Sequence, residues 1–299
     1  MLETAFTPQE LGAIRRAYAK QILAVVGIQE DARLEAAFAS VERERFLGPP
    51  PWTISRGGGY EPLHSHDPAV LYQDVLLALA AHRGVNNGSP SLHAGWLHAL
   101  SLREGDRVAH IGAGAGYYSA IIAEIVGPTG HVLAVEFDPA LADMARANLS
   151  DRSNVTVVAG DGALWPQDDV DAIYVNFSVE RPAEAWIEHL KPEGRLIFPL
   201  GLPRAQPSLR GGTHTMYGAG LRVERRAKGL AVQWLGHASF VCAEGELSNP
   251  ASERRALQAA FESNSVEFVR SLIWRKPAPL GRCWFTGSGW ALSYDEITP

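Results

Sequence analysis

A glycine-rich turn in the middle of the chain constrains the fold more than any other stretch. The apolar segment RVAHI leads into three glycines at alternate positions, Gly112, Gly114 and Gly116, and an apolar helical pattern over 117–126 follows. Glycine lets the main chain turn tightly and approach a ligand closely, and a turn between a strand and a helix places that ligand at the helix N-terminus. The pattern predicts the cofactor crevice of a doubly wound α/β sheet.

The spacing of these glycines separates two cofactor classes. Dinucleotide enzymes use G-x-G-x-x-G, whereas here the third glycine comes one residue early and Tyr117 stands where the dinucleotide glycine would be. A second predicted strand, in LAVEFD, ends at Glu136, at about the distance where nucleotide folds place a ribose-binding carboxylate. The spacing favours S-adenosylmethionine over NAD, while a glycine turn that serves only strand-to-helix geometry stays the alternative.

Strand and helix patterns alternate from the glycine turn to residue 199. This alternation is typical of βαβ units with parallel strands. The predicted strands are 107–111, 131–136, 154–158, 170–176 and 194–199, and the predicted helices are 117–126, 139–149 and 182–190. After residue 200 the patterns predict, in order, strands at 215–226 and 230–243, one or two helices within 248–274 and a closing hairpin over 282–294.

The N-terminal third reads as helices followed by an irregular loop. Helical spacing of apolar residues predicts helices over 7–26, 31–45 and 92–100. Residues 52–72, with three consecutive glycines at 57–59, are predicted to be irregular, and such a loop is either a functional lid or an insertion without a role. Periodicity does not separate strand from helix over 75–81.

Composition excludes several function classes. Hydrophobic residues make up 46% and charged residues 20% of the chain, as in ordinary globular proteins. The net charge of -6 and the lack of a dense Lys/Arg block argue against nucleic acid as a partner. Two cysteines supply neither a disulfide framework nor a zinc site. No apolar stretch is long enough for a bilayer and the first residues have no signal-peptide character, which predicts a cytoplasmic protein without a membrane partner.

Several motifs occur in one order along the chain. They are LEAAFASVERERFLGP (34–49), the glycine motif, AVEFD, AGDGALWP (159–166) and the segment 170–201. In this order they resemble the protein-L-isoaspartate O-methyltransferase family, over about residues 30–245. The resemblance implies an α/β fold: a doubly wound, mainly parallel, seven-stranded methyltransferase sheet of the Rossmann-like type, with N-terminal helices and a C-terminal α+β extension.

The resemblance also implies three regions and a set of cofactor contacts. Residues 1–78 would hold the N-terminal helices and the acceptor or lid loop, 79–245 the S-adenosylmethionine-binding domain, and 246–299 an extension packed on the core. The glycines would cradle the methionine part, the acidic residue after the second strand would bind the ribose, the Gly-Asp-Gly segment would flank the adenine, and an asparagine after the fourth strand would lie at the active-site floor. The cofactor-binding residues are therefore expected to be Gly112, Gly114, Gly116, Tyr117, Glu136, Phe137, Asp161, Gly162 and Asn176.

Three departures from the family pattern concern its chemistry. His110 replaces the usual acidic residue before Ile-Gly. The family's Thr-Ile-Ser segment, whose serine is tied to the reaction, is replaced by Asn86-Asn87-Gly88-Ser89; anchored on Pro90, the family serine falls on Gly88, and Ser89 is one place late. Residues 176–179, Asn-Phe-Ser-Val, replace the family's Thr-Ala-Ala-Pro. The donor half is kept, and the acceptor half is rewritten.

These observations predict an S-adenosylmethionine-dependent methyltransferase that releases S-adenosylhomocysteine. The expected reaction is O-methylation of a carboxylate on a protein, a peptide or a small molecule, because an ionised carboxylate needs no base. Isoaspartyl carboxyl methylation for protein repair and a non-catalytic S-adenosylmethionine-binding module are the alternatives. A nicotinamide oxidoreductase fits worse, since the glycine spacing is wrong and no Tyr-x-x-x-Lys arrangement lies near the fourth strand.

The acceptor side offers fewer clear candidates. Asn87 and Ser89 are candidates for orienting an acceptor carboxylate, and turn chemistry is their other explanation. If the acceptor needs a base, His64 is the first candidate, with His66 beside it. No metal is predicted, because no carboxylate or cysteine is placed to complete a site with these histidines. The oligomeric state stays open, a homodimer included.

Overall fold

The structure is a computed structural model that describes residues 4–56, 59–206, 211–243 and 247–297. The α-helices in these ranges are α1 (Pro8–Val25), α2 (Ala32–Ser40), α3 (Pro90–Leu100), α4 (Tyr117–Val126), α5 (Pro139–Asn148), α6 (Glu184–Glu188) and α7 (Ala251–Glu262). The strands are β1 (Thr53–Arg56), β2 (Gly59–Pro62), β3 (Ala78–Ala80), β4 (Val85–Asn86), β5 (Arg107–Ile111), β6 (His131–Glu136), β7 (Val155–Ala159), β8 (Val170–Val175), β9 (Leu190–Pro203), β10 (Thr215–Arg226), β11 (Gly229–His237), β12 (Ser271–Trp274), β13 (Cys283–Gly287) and β14 (Trp290–Ser293).

The chain folds into two compact units. The first contains the described residues of 1–107, 112–160 and 207–212, and the second contains those of 108–111, 161–206 and 213–299. No helix in the described ranges is both long enough and apolar enough to cross a membrane.

The N-terminal helices of the first unit start at side-chain caps. Thr7 and Glu10 form a capping box at α1, in which the Glu10 carboxylate accepts from Thr7 N at 2.7 Å. The Asp31 side chain accepts from Leu34 N at 3.0 Å and starts α2. The predicted helix over 31–45 is too long, because α2 ends at Ser40 and residues 43–46 form a separate 3-10 turn. The break lets the side chain of Arg43 turn inward.

The loop predicted over 52–72 is more regular than expected. β1 and β2 pair as an antiparallel hairpin, with Ile54 opposite Glu61, and a 3-10 turn over Pro68–Leu71 follows. Residues 57 and 58 of the glycine run lie outside the described residues. The ambiguous stretch 75–81 yields the short strand β3, which pairs with β4. Hairpin pairing supplies the main-chain hydrogen bonds that an irregular segment would lack.

The first unit also contains the parallel pair β6–β7 and the helices α4 and α5. Val135 lies opposite Val158 in this pair. The Asp138 side chain caps α5 by accepting from Ala140 N at 2.8 Å. The predicted strands and helices of this stretch are confirmed to within one residue at each end.

The second unit is built on strands in the order β13-β14-β12-β11-β10-β9-β8-β5. β5, β8 and β9 are parallel, and the strands from β9 to β13 pair in antiparallel fashion. The helix predicted over 182–190 is shorter than expected, because Ala183 at its N-cap has extended backbone and β9 begins at Leu190. Residues 271–274 form β12 and not the predicted helix, since their apolar side chains pair with β14. The closing hairpin is confirmed as β13–β14.

Candidate functional site

The glycine turn of the first unit adopts backbone angles that favour glycine. Gly112, Gly114 and Gly116 have φ values of 79°, 56° and 96°, a region that side chains other than glycine rarely occupy. A Cβ on Gly116 would lie 2.7 Å from Leu149 Cδ1. The Gly112 N–H donates to the Val135 carbonyl at 2.8 Å, which ties the turn to β6. The turn is a main-chain cradle in which Leu79 lies against Gly114 and Leu149 against Gly116, so larger residues fit poorly at either position.

Glu136 presents a carboxylate at the end of β6, beside this cradle. Only 8% of the residue is exposed. Its Oε2 accepts from Gly114 N at 2.7 Å, and its Oε1 accepts from Asp138 N at 2.9 Å. Burial raises the pKa of Glu136, while these two N–H donors oppose the rise. Each oxygen keeps a lone pair, so the carboxylate can still accept from a pair of hydroxyl groups.

Two aromatic residues predicted to contact the cofactor differ in placement. Phe137 follows Glu136 and is 49% exposed, so its ring is free to pack against a flat ligand group. The Tyr117 side chain is buried and packs edge-on against Phe46 and Tyr118, at centroid distances of 5.6 and 5.0 Å. Burial raises the pKa of Tyr117 well above its ordinary value. Only the main chain of Tyr117 lies at the turn, as the first residue of α4.

In the second unit, Asp161 and Gly162 form a tight turn after residue 160. Asp161 Oδ1 accepts from Ala163 N at 2.9 Å, and the Gly162 carbonyl accepts from Trp186 Nε1 at 2.9 Å. A Cβ on Gly162 would overlap Ile111 Cγ2. The turn therefore holds the Asp161 carboxylate in a fixed position, and its second oxygen can accept from a ligand amine.

His110 and Asn176 form a pair at the carboxyl ends of β5 and β8 in the second unit. The Asn176 amide donates to His110 Nε2 at 2.7 Å, so the neutral ring carries its proton on Nδ1. His110 is fully buried, and burial lowers its pKa to about 3. Asn176 Oδ1 is a buried acceptor without a partner among the described residues. A ligand donor would satisfy this oxygen, which fits the ligand contact predicted for Asn176.

The residues predicted for the acceptor side lie in two places of the first unit. His64 is exposed on the stretch after β2, whereas Asn87 and Ser89 lie together in the loop before α3. Ser89 Oγ donates to Asp74 Oδ1 at 3.2 Å, and Ser91 N donates to the same oxygen at 3.0 Å. Asp74 thus fixes the start of α3. No motif in the sequence marks it.

The side-chain amide of Asn87 has a hydrogen-bonded oxygen and an unpaired nitrogen among the described residues. Its Oδ1 accepts from Leu77 N at 2.9 Å, which links the loop to the segment leading into β3. Its Nδ2 is buried and has no partner among the described residues. A buried donor of this kind is rarely left unpaired in a protein. The atom is suited to a ligand oxygen, such as that of a carboxylate.

Gly88, where the family pattern expects a serine, has no room for a side chain. Its φ is 74°, and a Cβ built there would overlap His93 Nε2. His93 is 2% exposed, and its ring stacks on Tyr118 with centroids 3.8 Å apart. Tyr118 belongs to α4, the helix that follows the glycine turn. Through the His93 ring, the loop before α3 is therefore packed on that helix. The spacing of Gly88 and His93 gives no sequence signal for this contact.

Arg43 anchors the segment that precedes this loop. The side chain is 0% exposed and donates to the carbonyls of Leu71, Gln73 and Val75 at 2.6, 2.7 and 2.7 Å. Its guanidinium also lies 5.9 Å from the Tyr18 ring centroid. Carbonyl dipoles and the ring face compensate the buried cation. The motif over 34–49 contains this arginine, but the sequence does not show what it binds.

Comparisons with known proteins identify a family and a fold for this chain. The family model described as protein-L-isoaspartate(D-aspartate) O-methyltransferase matches residues 59–212, just over half of the chain. A protein-L-isoaspartate O-methyltransferase of Archaeoglobus fulgidus is 42% identical over 136 residues, which are 44% of this chain and 62% of that protein. The Ignicoccus hospitalis enzyme is 38% identical over 135 residues and 63% of its length, so the chain spans less than two thirds of these relatives.

Longer but more distant matches extend into the C-terminal region. The Thermotoga maritima protein-L-isoaspartate O-methyltransferase is 28% identical over 262 residues, which are 84% of this chain and 73% of that protein. A solved structure of that name aligns with a TM-score of 0.62 and 23% identity, covering 89% of this chain and 74% of the other. A Plasmodium falciparum structure in complex with S-adenosyl-L-homocysteine aligns with a TM-score of 0.59 and 17% identity, covering 78% and 99%.

The solved structures confirm the predicted Rossmann-like methyltransferase fold, and the family match confirms the resemblance found in the ordered motifs. By sequence and by fold, the chain belongs to the protein-L-isoaspartate(D-aspartate) O-methyltransferase family.

Proposed function

We propose that this chain is an S-adenosylmethionine-dependent methyltransferase that esterifies a carboxylate, and that the carboxylate is that of an isoaspartyl residue in a protein or peptide. The observation that carries the donor half is the cradle of three glycines with positive φ beside the Glu136 carboxylate. Family membership supports the acceptor half. Of the functions considered from sequence, this alternative now has more support than an unspecified carboxylate.

S-adenosylmethionine, when bound, supplies a methyl group on an electrophilic sulfonium. The chain's own residues have to bind the donor, align the acceptor and exclude water. In the first unit, the glycine cradle admits the donor close to the main chain, Glu136 accepts from ribose hydroxyls, and the exposed Phe137 ring packs on a flat group. In the second unit, Asp161 and Asn176 each offer a free oxygen to ligand N–H or O–H groups.

An acceptor carboxylate needs orientation and no general base, because it is ionised at neutral pH. Asn87 Nδ2 is the donor we assign to one carboxylate oxygen, since it is buried and otherwise unpaired among the described residues. Alignment of two bound reactants can lower a barrier by about 7–11 kcal/mol, which is the main contribution asked of these residues. Ser89, which donates to Asp74, stabilises the loop and has no nucleophilic role in the proposed transfer.

A second candidate function differs only in the acceptor. Residue 88 is a glycine with the His93 ring in the space a side chain would need, so the loop presents no serine hydroxyl at the position where the resemblance implies one. That change favours a carboxylate other than isoaspartate, such as the side chain of an ordinary aspartyl residue. A cytoplasmic location belongs to the same proposal, supported by the unbridged Cys242 and Cys283.

The decisive experiment measures transfer of an isotopically labelled methyl group from S-adenosylmethionine to two peptides that differ only in one isoaspartyl or aspartyl residue. We expect a base-labile methyl ester on the isoaspartyl peptide. An ester on the aspartyl peptide alone would establish the second candidate. Saturable binding of S-adenosylhomocysteine without transfer to either peptide or to proteins of a cell extract would leave a non-catalytic binding module.

A further inference from the structure

The turn that follows β8 is held by the C-terminal part of the second unit. This turn, residues 176–180, replaces a family segment and follows the strand end at which parallel sheets bind their ligands. Ser178 N donates to the Val241 carbonyl at 2.9 Å, Ala243 N donates to the Ser178 carbonyl at 2.8 Å, and Glu180 N donates to the Leu247 carbonyl at 3.2 Å. The turn is therefore bound by residues beyond 212, where the family match ends.

The Glu180 side chain is the centre of this attachment. The residue is 6% exposed, and its carboxylate accepts from Asn249 N at 2.8 Å and from Arg254 Nε at 3.0 Å. A second nitrogen of Arg254 lies 2.9 Å from Oε1. The Asn249 amide in turn donates to the Glu180 carbonyl at 2.9 Å. One residue of the turn is thus bound through both its main chain and its side chain.

The attachment depends on the opposite charges of Glu180 and Arg254. A buried carboxylate without a cation is strongly unfavourable, so Glu180 depends on Arg254 in the first part of α7. Burial and then the Glu180 charge raise the pKa of the Cys242 thiol to about 12. Cys242 therefore stays protonated and chemically inert at neutral pH. The cluster is a structural attachment.

We propose that residues 247–254, the clamp, position residues 178–180 of this turn for the methyl acceptor, and that Glu180 and Arg254 are positioning residues. Asn176 is held separately, because its N–H donates to the Ile111 carbonyl of β5 at 2.9 Å. The inference rests on the proposed methyltransferase function, because it assigns the turn to acceptor binding. It gives the C-terminal extension a role in positioning the acceptor. The orphan Ser178 Oγ, buried without a partner among the described residues, lies in the positioned turn.

Three variants test the clamp. Arg254→Met removes the cation, and Arg254→Lys keeps the charge without the fork of two donors. Arg282→Met is the matched control, since it breaks an exposed ion pair with Asp295 in the same unit. Each variant is first checked for a cooperative unfolding transition. If Arg254→Met does not fold, Glu180→Gln takes its place, because the amide keeps the shape and removes the charge.

The first readout is amide hydrogen exchange over 178–182, which needs no activity. We expect exchange there to be about tenfold faster in Arg254→Met, intermediate in Arg254→Lys and unchanged in Arg282→Met, because loss of a charged hydrogen bond changes local opening by at least that factor. Unchanged exchange in Arg254→Met, or equal change in Arg282→Met, would overturn the clamp.

The second readout separates positioning from general destabilisation. We expect the KM for the acceptor peptide to rise about fivefold or more in Arg254→Met, with the Kd for S-adenosylhomocysteine within about twofold of the parent. Equal shifts in both constants, or none in KM, would remove the positioning role. If the parent chain methylates neither peptide, the proposed function fails, and the exchange measurement still shows whether the clamp holds the turn.

Discussion

Two stretches of the first unit, the glycine turn at 112–116 and the segment 74–93, are held in place by different means. Main-chain angles and main-chain hydrogen bonds shape the glycine turn, with φ between 56° and 96° at three glycines. Side chains distant in sequence shape the segment 74–93. Asp74 holds the start of α3, His93 fills the space over Gly88, and Arg43 binds the carbonyls just before it.

The difference has consequences for what each stretch tolerates. A turn shaped by main-chain angles depends mainly on its glycines and on few side chains, here Glu136 and Leu149. A site built by interlocking side chains can change one contact when a partner changes with it. This explains how a chain can keep the glycine pattern of its family while the loop before α3 departs from the family pattern.

Arg43→Met should have the largest effect on stability. The change removes three charged hydrogen bonds, and although the Leu71 and Gln73 carbonyls keep main-chain donors, we expect a loss of about 3–5 kcal/mol in the free energy of unfolding. Urea denaturation measures it. Arg45→Met, which breaks an exposed pair with Asp151, is the control and should lose less than about 1 kcal/mol. Similar losses in both variants would mean that Arg43 does not anchor the acceptor segment.

Gly116→Val should lower the free energy of unfolding by about 2–4 kcal/mol. The cost of a side chain at positive φ and the cost of its overlap with Leu149 add together. The matched control is Gly27→Ala, at a φ of 74° with no atom within 4 Å of the added Cβ. That control isolates backbone strain, about 1–2 kcal/mol. Equal losses in the two variants would show that packing on α5 does not confine the turn.

His110 makes the strand before the glycine turn sensitive to acid. Its folded pKa of about 3 lies below the ordinary value of 6.5, so the unfolded chain binds more protons between these values. Stability should fall as pH falls below 6.5, by up to about 1.4 kcal/mol per pH unit from this residue. His110→Gln should flatten the dependence, measured by urea denaturation between pH 4 and 7. His64→Gln is the control for loss of a histidine, and an unflattened profile in His110→Gln contradicts the burial effect.

Gly88→Ser and His93→Ala test the interlock on the acceptor side. Gly88→Ser alone should lose about 1–3 kcal/mol, because the new side chain overlaps the His93 ring and strains the backbone. In a His93→Ala background the same change should cost less, since the ring is gone. A double-mutant cycle from urea denaturation gives the coupling. Additive effects would show that the ring does not occupy the serine position.

Preference between the isoaspartyl and aspartyl peptides can be measured on the same four proteins. If the space over Gly88 sets the acceptor, the double variant should shift its kcat/KM ratio toward the isoaspartyl peptide.

The sequence alone was sufficient to predict the features that follow from local backbone geometry. The glycine spacing, the carboxylate of Glu136 at a strand end and the alternation of strands and helices led to the correct fold and family, because each reflects local geometry. The lengths of α2 and α6, the hairpin at 53–62 and the strand β12 were missed, since tertiary contacts overrode local pattern.

The contacts of the residues predicted for the acceptor side could not be predicted from the sequence in the same way. Ser89 and Asn87 were identified by position in a motif, but their partners Asp74 and Leu77 lie 15 and 10 residues away. The His93 contact with Gly88 joins a helix to a loop, and the Arg43 contacts join residues about 30 apart. Pairings of this range depend on the folded arrangement of several elements, and no single-sequence pattern carries them.

The most direct test of the donor site is calorimetric titration of S-adenosylhomocysteine into the parent chain and into Glu136→Gln. The parent should show saturable binding. The variant should bind about 10–100-fold more weakly, because an uncharged amide replaces the carboxylate proposed to accept from the ribose, and its single oxygen can keep only one of the two contacts with Gly114 N and Asp138 N. Urea denaturation checks that the variant stays folded. No binding by the folded parent, or equal affinity in the two proteins, would contradict the assignment of the glycine turn and Glu136 to the donor.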